Sequence, residues 1–287
     1  GLCIQFREFY IMTVSTERIE KFAEVLVDQA ADVQEGDNVY LLATSLETLP
    51  LFREVRKQII QKGAQPHEHL LYDSQVGSSA MDYDYMKHAS DEQLEEMSEA
   101  KMEEMKRMDA YIRISGEDNT QDLADIDPER ISTRRQATGD LLTERLKTKW
   151  VATRFPTNSM AQQAGMSTES FEEMLVDAVV NVDWDEMNER AQEIKEVFDD
   201  SKVRIKSDDT DLTLSLKGRE GEAENGNHNI PDGEVFYAPV KESLNGHIKF
   251  TYPGINGGNE VAGIRLEFEN GRIVDYSAEK NEEFLEH

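Results

Sequence analysis

The stretch Glu35-Gly-Asp-Asn-Val-Tyr-Leu-Leu-Ala-Thr44 joins a glycine turn to a short apolar run, and it sets the interpretation of the first part of the chain. A short apolar run that follows turn residues is typical of a buried strand. The next segment, residues 48–61, has helical spacing and ends before Lys62-Gly63 and Pro66. Residues 67–72 then predict a second strand. A strand, a helix and a strand in this order favour a parallel α/β sheet.

The same alternation continues to about residue 200. Helices are predicted at 16–34, 79–89, 91–108, 127–146, around 166–175 and at 183–199, and strands at 110–115 and 149–154. After Ser201 the pattern changes to strands at 203–207, 211–216, 246–252, 261–269 and 272–276. Asn270-Gly271, between two alternating runs, predicts a hairpin.

These patterns predict an α/β fold class with two domains. The N-terminal domain, residues 12–200, is expected to hold a parallel sheet with flanking helices. Residues 201–287 are expected to form a partial, strand-rich α+β C-terminal domain. Residues 1–11 precede Met12 and a Ser/Thr helix start, so we expect them to be an extension outside the fold.

The charge balance excludes several classes of function. Asp and Glu number 59 and Lys and Arg number 31, so the formal net charge is −28. Such a surface repels phosphate backbones and anionic headgroups, which argues against nucleic-acid and membrane partners. With 11 Phe and 9 Tyr the chain is expected to fold, and acids spread along its whole length predict a halophilic surface. Greatest stability in dilute buffer would contradict that prediction.

The single cysteine, Cys3, excludes an intramolecular disulfide and favours a reducing, cytoplasmic location. The common signatures of nucleotide-binding loops, serine-hydrolase elbows and His-Glu-x-x-His zinc helices are missing from the sequence.

Weaker candidates have ordinary explanations. His67-Glu68-His69 places two imidazoles on one strand face, as a metal pair requires, but a pair of residues near a sheet edge is favoured. Asp208-Asp-Thr-Asp211 resembles a cation loop, but a solvated hairpin turn is favoured. Trp150 and Trp184 are expected to be core or interface residues.

Glu234 is the most informative candidate ligand. It follows a Pro-Asp-Gly turn and begins an apolar strand, where a carboxylate can hold a metal ion beside orienting backbone groups. Taken alone, a surface glutamate remains favoured over a ligand.

The surrounding residues carry a family resemblance. Asn229-Ile-Pro-Asp-Gly-Glu-Val-Phe-Tyr-Ala-Pro239, together with Trp150-Val-Ala-Thr-Arg-Phe-Pro-Thr157 and Ala161-x-x-Ala-Gly-Met-Ser167, resembles the thermophilic metalloaminopeptidase family that includes aminopeptidase T and aminopeptidase S. The likeness extends in order over about residues 12–287. Tyr237 departs from the pattern, since the family often has Thr there.

The resemblance implies an enzyme that removes N-terminal residues from peptide substrates by two-metal hydrolysis, with zinc, cobalt or magnesium as the two divalent ions, and a homodimer. It implies that Glu234 is a metal ligand. The family's other ligands, a second Glu, a His and a His-x-Asp pair, match nothing in this chain, and no catalytic or other cofactor-binding residue is predicted within it.

The chain is therefore expected to be truncated at its C-terminus and inactive as it stands. The alternative is an inactive acidic binding or scaffolding module that keeps the family fold. Nucleotide sequence beyond residue 287 that encodes the missing ligands would favour the enzyme, and a genuine stop codon would favour the module.

Overall fold

The computed structural model describes residues 14–70, 80–116, 119, 122–123, 125–224, 226–256 and 259–285. The predicted extension, residues 1–11, lies outside the described residues and stays a prediction. Contacts divide the chain into two compact units. Unit 1 runs to Val182 and includes Gly226–Pro231, and unit 2 contains Asp183–Asn225 and the chain from Asp232 onward. The predicted domain boundary at residue 200 differs from this division over residues 183–200 and over residues 226–231.

The helices are α1 Thr16–Glu24, α2 Leu49–Gln61, α3 Ala80–His88, α4 Asp91–Glu95, α5 Glu99–Met105, α6 Pro128–Ala137, α7 Gly139–Arg145, α8 Asn158–Gln163, α9 Thr168–Val180 and α10 Trp184–Phe198. The strands are β1 Asn38–Ala43, β2 Gln65–Leu70, β3 Ala110–Ser115, β4 Lys149–Arg154, β5 Lys202–Ser207, β6 Thr210–Ser215, β7 Gly221–Glu224, β8 Asn229–Ile230, β9 Glu234–Tyr237, β10 Asn245–Lys249, β11 Gly254–Asn256, β12 Asn259–Val261, β13 Arg265–Glu269 and β14 Arg272–Ser277. None of the described helices combines the length and the apolar character needed to cross a membrane.

Unit 1 is built on a parallel sheet of order β2-β1-β3-β4-β8. Its strands are rich in buried apolar residues, as strands covered on both faces require. The predicted α/β fold class is confirmed. The fifth strand, β8, was not predicted, because two residues give no periodic signal; it pairs with β4 through Ala152↔Asn229 and Thr153↔Ile230.

The first helix packs through its apolar face against α2 and α9, and the π-helical segment that follows it contacts β4 and β8. The Ser15 hydroxyl accepts a hydrogen bond from the Arg18 amide at the helix start, and Phe22 and Leu26 are fully buried. The Phe22 ring lies 6.3 Å from that of Phe155. The predicted helix 16–34 is shorter than expected, since α1 continues as a π-helical segment that ends at Ala30.

Helices α3, α4 and α5 form a helical segment between β2 and β3. The prediction of a single helix over 91–108 is wrong, because the chain forms two helices there, α4 and α5. The new helix begins after Ser98, whose hydroxyl accepts a hydrogen bond from the Lys101 amide. Arg130 on α6 donates to the carbonyls of Met86 and Ala89, so this guanidinium satisfies carbonyls at the end of α3 that lack helical partners.

Unit 2 contains an antiparallel sheet of order β14-β13-β10-β6-β5. The predicted hairpin is confirmed, because Asn270 and Gly271 have φ of 49° and 75° and connect β13 to β14. The predicted strand 261–269 is divided between β12 and β13, with Gly263 at φ 66° between them. Strands β7 and β9 form a separate antiparallel pair, which α10 contacts.

Candidate metal site

Glu234 is the first residue of β9, and its side chain is exposed. The preceding residue, Gly233, has φ 137°, a conformation that favours glycine. This glycine ends the Pro-Asp-Gly turn, and β9 begins at the next residue. Strand β9 pairs with β7, and in this register Glu224 lies directly opposite Glu234.

The Glu224 and Glu234 side chains therefore project from the same face of the β7–β9 pair. Residues directly opposite in an antiparallel pair have Cβ atoms about 4.5–5.5 Å apart. Glu224 is only 9% exposed, whereas Glu234 is exposed. Carboxylate oxygens are suitable ligands for zinc or magnesium. Sequence reasoning missed Glu224, because the pairing of β7 with β9 follows from the folded chain and has no local signal in the sequence.

Helix α10 supports the opposite face of this pair. A Cβ atom at Gly233 would lie 3.2 Å from the Met187 Sδ, so the turn before Glu234 sits against the beginning of α10. At the other end of β9, the Tyr237 hydroxyl donates 2.9 Å to the Lys195 carbonyl or 2.7 Å to Asp199 Oδ1. The Tyr237 and Phe198 rings are 6.3 Å apart.

The contact between Tyr237 and Asp199 shifts both titrations. Desolvation, followed by the adjacent Asp199 carboxylate, raises the pKa of Tyr237 to about 12. Hydrogen bonds from Tyr237 and then Lys195 lower the pKa of Asp199. The neutral phenol and the ionised carboxylate are thus the forms that the fold favours.

The donor set for a metal is incomplete within the part of the chain that the structure describes. Across those residues, no group of three or more His, Cys, Asp or Glu side chains is placed to hold an ion. Glu234 and Glu224 fit a divalent ion in chemistry, but two carboxylates do not surround one.

The weaker candidates lie elsewhere. His67 Nε2 is 3.1 Å from Asn38 Oδ1, and His69 Nε2 is 3.1 Å from Glu104 Oε1, so both imidazoles on the edge strand β2 have protein partners. Burial lowers the pKa of His69, against the opposing effect of Glu104. The His69 ring also stacks on Tyr40 at 4.0 Å.

The remaining candidates also have structural surroundings. Asp208 and Asp209 form the turn between β5 and β6, and Asp211 binds Arg204 through two hydrogen bonds of 2.7 and 2.6 Å. Trp150 stacks on His228 at 4.6 Å, and Trp184 is buried.

Comparison with known proteins identifies the family. The profile of the thermophilic metalloprotease (M29) family matches residues 15–287. The chain belongs to this family. The predicted recognition is confirmed, and the chain is a member of a peptidase family.

Curated relatives of this M29 chain agree with the assignment. Aminopeptidase 2 of Geobacillus stearothermophilus is 27% identical over 304 residues, which cover 94% of this chain and 72% of that protein. Aminopeptidase T of Thermus aquaticus is 26% identical over 305 residues, covering 96% and 74%.

Solved structures share the fold. Wild-type AmpT from Thermus thermophilus has a TM-score of 0.78 at 24% identity, over 94% of the M29 chain and 73% of AmpT. A dioxygenase from Pseudomonas putida KT2440 has a TM-score of 0.52 at 14% identity, over 95% of this chain and 71% of that one. Because this second protein carries the name of a different reaction, the fold alone does not specify the chemistry.

Proposed function

We propose that this chain is a metal-dependent aminopeptidase polypeptide that removes N-terminal residues from peptides by two-metal hydrolysis, with Glu234 as one metal ligand. The proposal is supported by membership of a metalloprotease family and by relatives that are named aminopeptidases. The observation that carries it is the position of Glu234, exposed at the start of β9 and opposite a second carboxylate.

The chain's own residues have a limited part in this chemistry. Glu234 would bind a divalent ion through its carboxylate, and Glu224 would add negative charge from the neighbouring strand. A bound ion supplies activation of the scissile carbonyl and of a water molecule. The described residues contain no group of three or more candidate ligands, so the proposal assigns only Glu234 as a ligand. The 287 residues alone are accordingly expected to be inactive.

The test uses Mn²⁺, whose paramagnetism broadens amide signals near the bound ion even when binding is weak. In the 287-residue protein, the amides of Gly233, Glu234 and Val235 should broaden at the lowest Mn²⁺ concentrations. Glu234→Gln should weaken this binding about tenfold or more, because it removes the ligand charge. The ionic strength is held constant to limit nonspecific attraction by the acidic surface.

Glu222→Gln is the matched control. Glu222 is an exposed carboxylate on the same face of the same strand pair, two residues from Glu224. Glu222→Gln therefore removes the same charge as Glu234→Gln. Equal losses in the Glu234→Gln and Glu222→Gln proteins would show general attraction to acids and contradict the proposal.

A parallel assay tests activity. The purified protein with added Co²⁺ or Zn²⁺ should not hydrolyse an aminoacyl anilide. Hydrolysis would contradict the expectation that this chain lacks essential ligands.

The incomplete donor set favours a second candidate, the inactive acidic module that keeps the family fold. Absence of preferential broadening at Glu234 would favour this module over the metallopeptidase. Homodimer formation, a cytoplasmic location and adaptation to high salt are further proposals, and sedimentation and unfolding measurements across a salt series test the first and the third.

A further inference from the structure

We propose that Tyr237 is a positioning residue, which fixes the backbone of Glu234 by anchoring β9 to α10. This inference rests on the proposed function, because it concerns the strand that carries the proposed ligand. Tyr237 contacts Lys195 and Phe198 on α10 and Asp199 just after it, so it acts on Glu234 through the strand.

The anchoring follows from the two ends of β9. Gly233 rests against Met187 near the start of α10, and the Tyr237 hydroxyl lies 2.9 Å from the Lys195 carbonyl near its end. Glu234 lies between these two points. Both ends of the four-residue strand are therefore attached to one helix.

The alternation of a strand assigns the two sides of the pair. Val235 and Tyr237 project from one face, and Glu234 and Phe236 project from the other. Since Tyr237 contacts α10, Glu234 faces away from this helix and remains exposed. The helix can hold the strand without obstructing the carboxylate.

Gly221 leaves the space that the Tyr237 ring occupies. Gly221 lies directly opposite Tyr237 in the β7–β9 register, and a Cβ atom there would be 2.1 Å from the Tyr237 Cζ. The aromatic ring thus covers the glycine, an arrangement that fixes register between strands. Any other residue at this position would push the ring away and with it the hydroxyl.

The length of the Tyr237 side chain is what allows this contact. A threonine would be too short to extend across Gly221 to the Lys195 carbonyl. The hydroxyl of Tyr237 is therefore the group to test.

The experiment compares Tyr237→Phe with the wild-type 287-residue protein in the Mn²⁺ titration. The substitution keeps the ring and changes no charge, so a change in Mn²⁺ affinity reports positioning. We expect the affinity at Glu234 to fall about tenfold, as it does when groups that orient metal ligands are removed. The Glu234 amide resonance should also shift. Tyr252→Phe, at an 85% exposed site, is the matched control and should leave both unchanged.

A second variant addresses the partner of the hydroxyl. Asp199→Asn keeps an oxygen that accepts a hydrogen bond and leaves the Lys195 carbonyl in place, so it should retain most of the affinity. Loss as large as that of Tyr237→Phe would show that the Asp199 charge, and not the anchored hydroxyl, matters, and would overturn the inference.

The outcomes separate the two proposals. If Glu234→Gln leaves Mn²⁺ binding unchanged, the proposed function fails. If Glu234→Gln weakens binding and Tyr237→Phe does not, only the positioning role fails. If Tyr237→Phe unfolds unit 2, as judged from its amide spectrum, the role is structural and the inference is also overturned.

Discussion

Replacing Arg134 with methionine should destabilise unit 1 and open the segment formed by α4 and α5. Arg134 is 5% exposed, and its guanidinium donates to the Glu96 carbonyl at 2.6 Å and to the Leu94 carbonyl at 3.3 Å. The guanidinium carbon also lies 5.1 Å from the centre of the Tyr85 ring. One side chain thereby joins α6 to the end of α4 and to α3.

The magnitude follows from these contacts. The short hydrogen bond from a charged donor contributes about 1.5–3 kcal/mol, and we count the longer one as weak. The cation–π contact adds about 0.5–2 kcal/mol. Methionine retains much of the side-chain length, so a cavity contributes little, and the expected loss is about 2–5 kcal/mol.

Urea unfolding measures the total loss, and native-state hydrogen exchange locates it. The amides of α4 and α5 should exchange faster in Arg134→Met, because their attachment to α6 is lost. Arg135→Met is the matched control, since Arg135 is the exposed neighbour on the same helix and should change stability by about 0.5 kcal/mol or less. A loss below about 1 kcal/mol in Arg134→Met, or equal losses in both proteins, would refute the reasoning.

Two further predictions concern backbone strain and pH. Gly246→Ala should lower the free energy of unfolding by at least about 2 kcal/mol, because Gly246 has φ 112° and an added Cβ would lie 2.0 Å from the Asp211 carbonyl oxygen. Gly139→Ala is the control: an added Cβ there has no atom within 4 Å, so this substitution should be neutral or slightly stabilising. Thermal unfolding measures both. His69 should titrate below its ordinary value of 6.5 in an NMR titration, and Glu104→Gln should lower its pKa further by removing the carboxylate that favours protonation. The pKa of His69 is lower in the folded than in the unfolded state, so the folded state favours the neutral ring. This contribution to stability is complete above about pH 6.5 and is lost as the pH falls through the folded-state pKa. Lys101 and His67 also face this ring and oppose its protonation, so a pKa above 6.5 would contradict the prediction.

Local chemistry explains which elements could be predicted. Residues 149–154 form a strand with the predicted bounds, because their composition and the flanking segments agree. The Asn270-Gly271 turn was predicted because both residues tolerate the positive φ that a two-residue hairpin requires. In each case the necessary information lies within a few residues.

Long-range pairing explains what could not be predicted. Strand β8 has two residues and joins the sheet of unit 1 only by pairing with β4, about 75 residues earlier in the chain. The break between α4 and α5 was missed because acidic residues and methionines continue the helical pattern through it. There Glu96 adopts an extended conformation, with ψ 126°, and Arg134 from α6 binds its carbonyl.

The candidate site shows the same limit most clearly. In a chain with 59 acidic residues, the residue type of Glu234 carries almost no information, and its prediction depended on the family resemblance. Within the folded pair, three features distinguish it from other acids: the opposing Glu224, the glycine turn against Met187, and the Tyr237 contact with α10. Glu222 has none of these supports, although it shares the face and the exposure. The comparison between Glu234 and Glu222 therefore tests whether geometry, and not charge alone, makes a ligand in this protein.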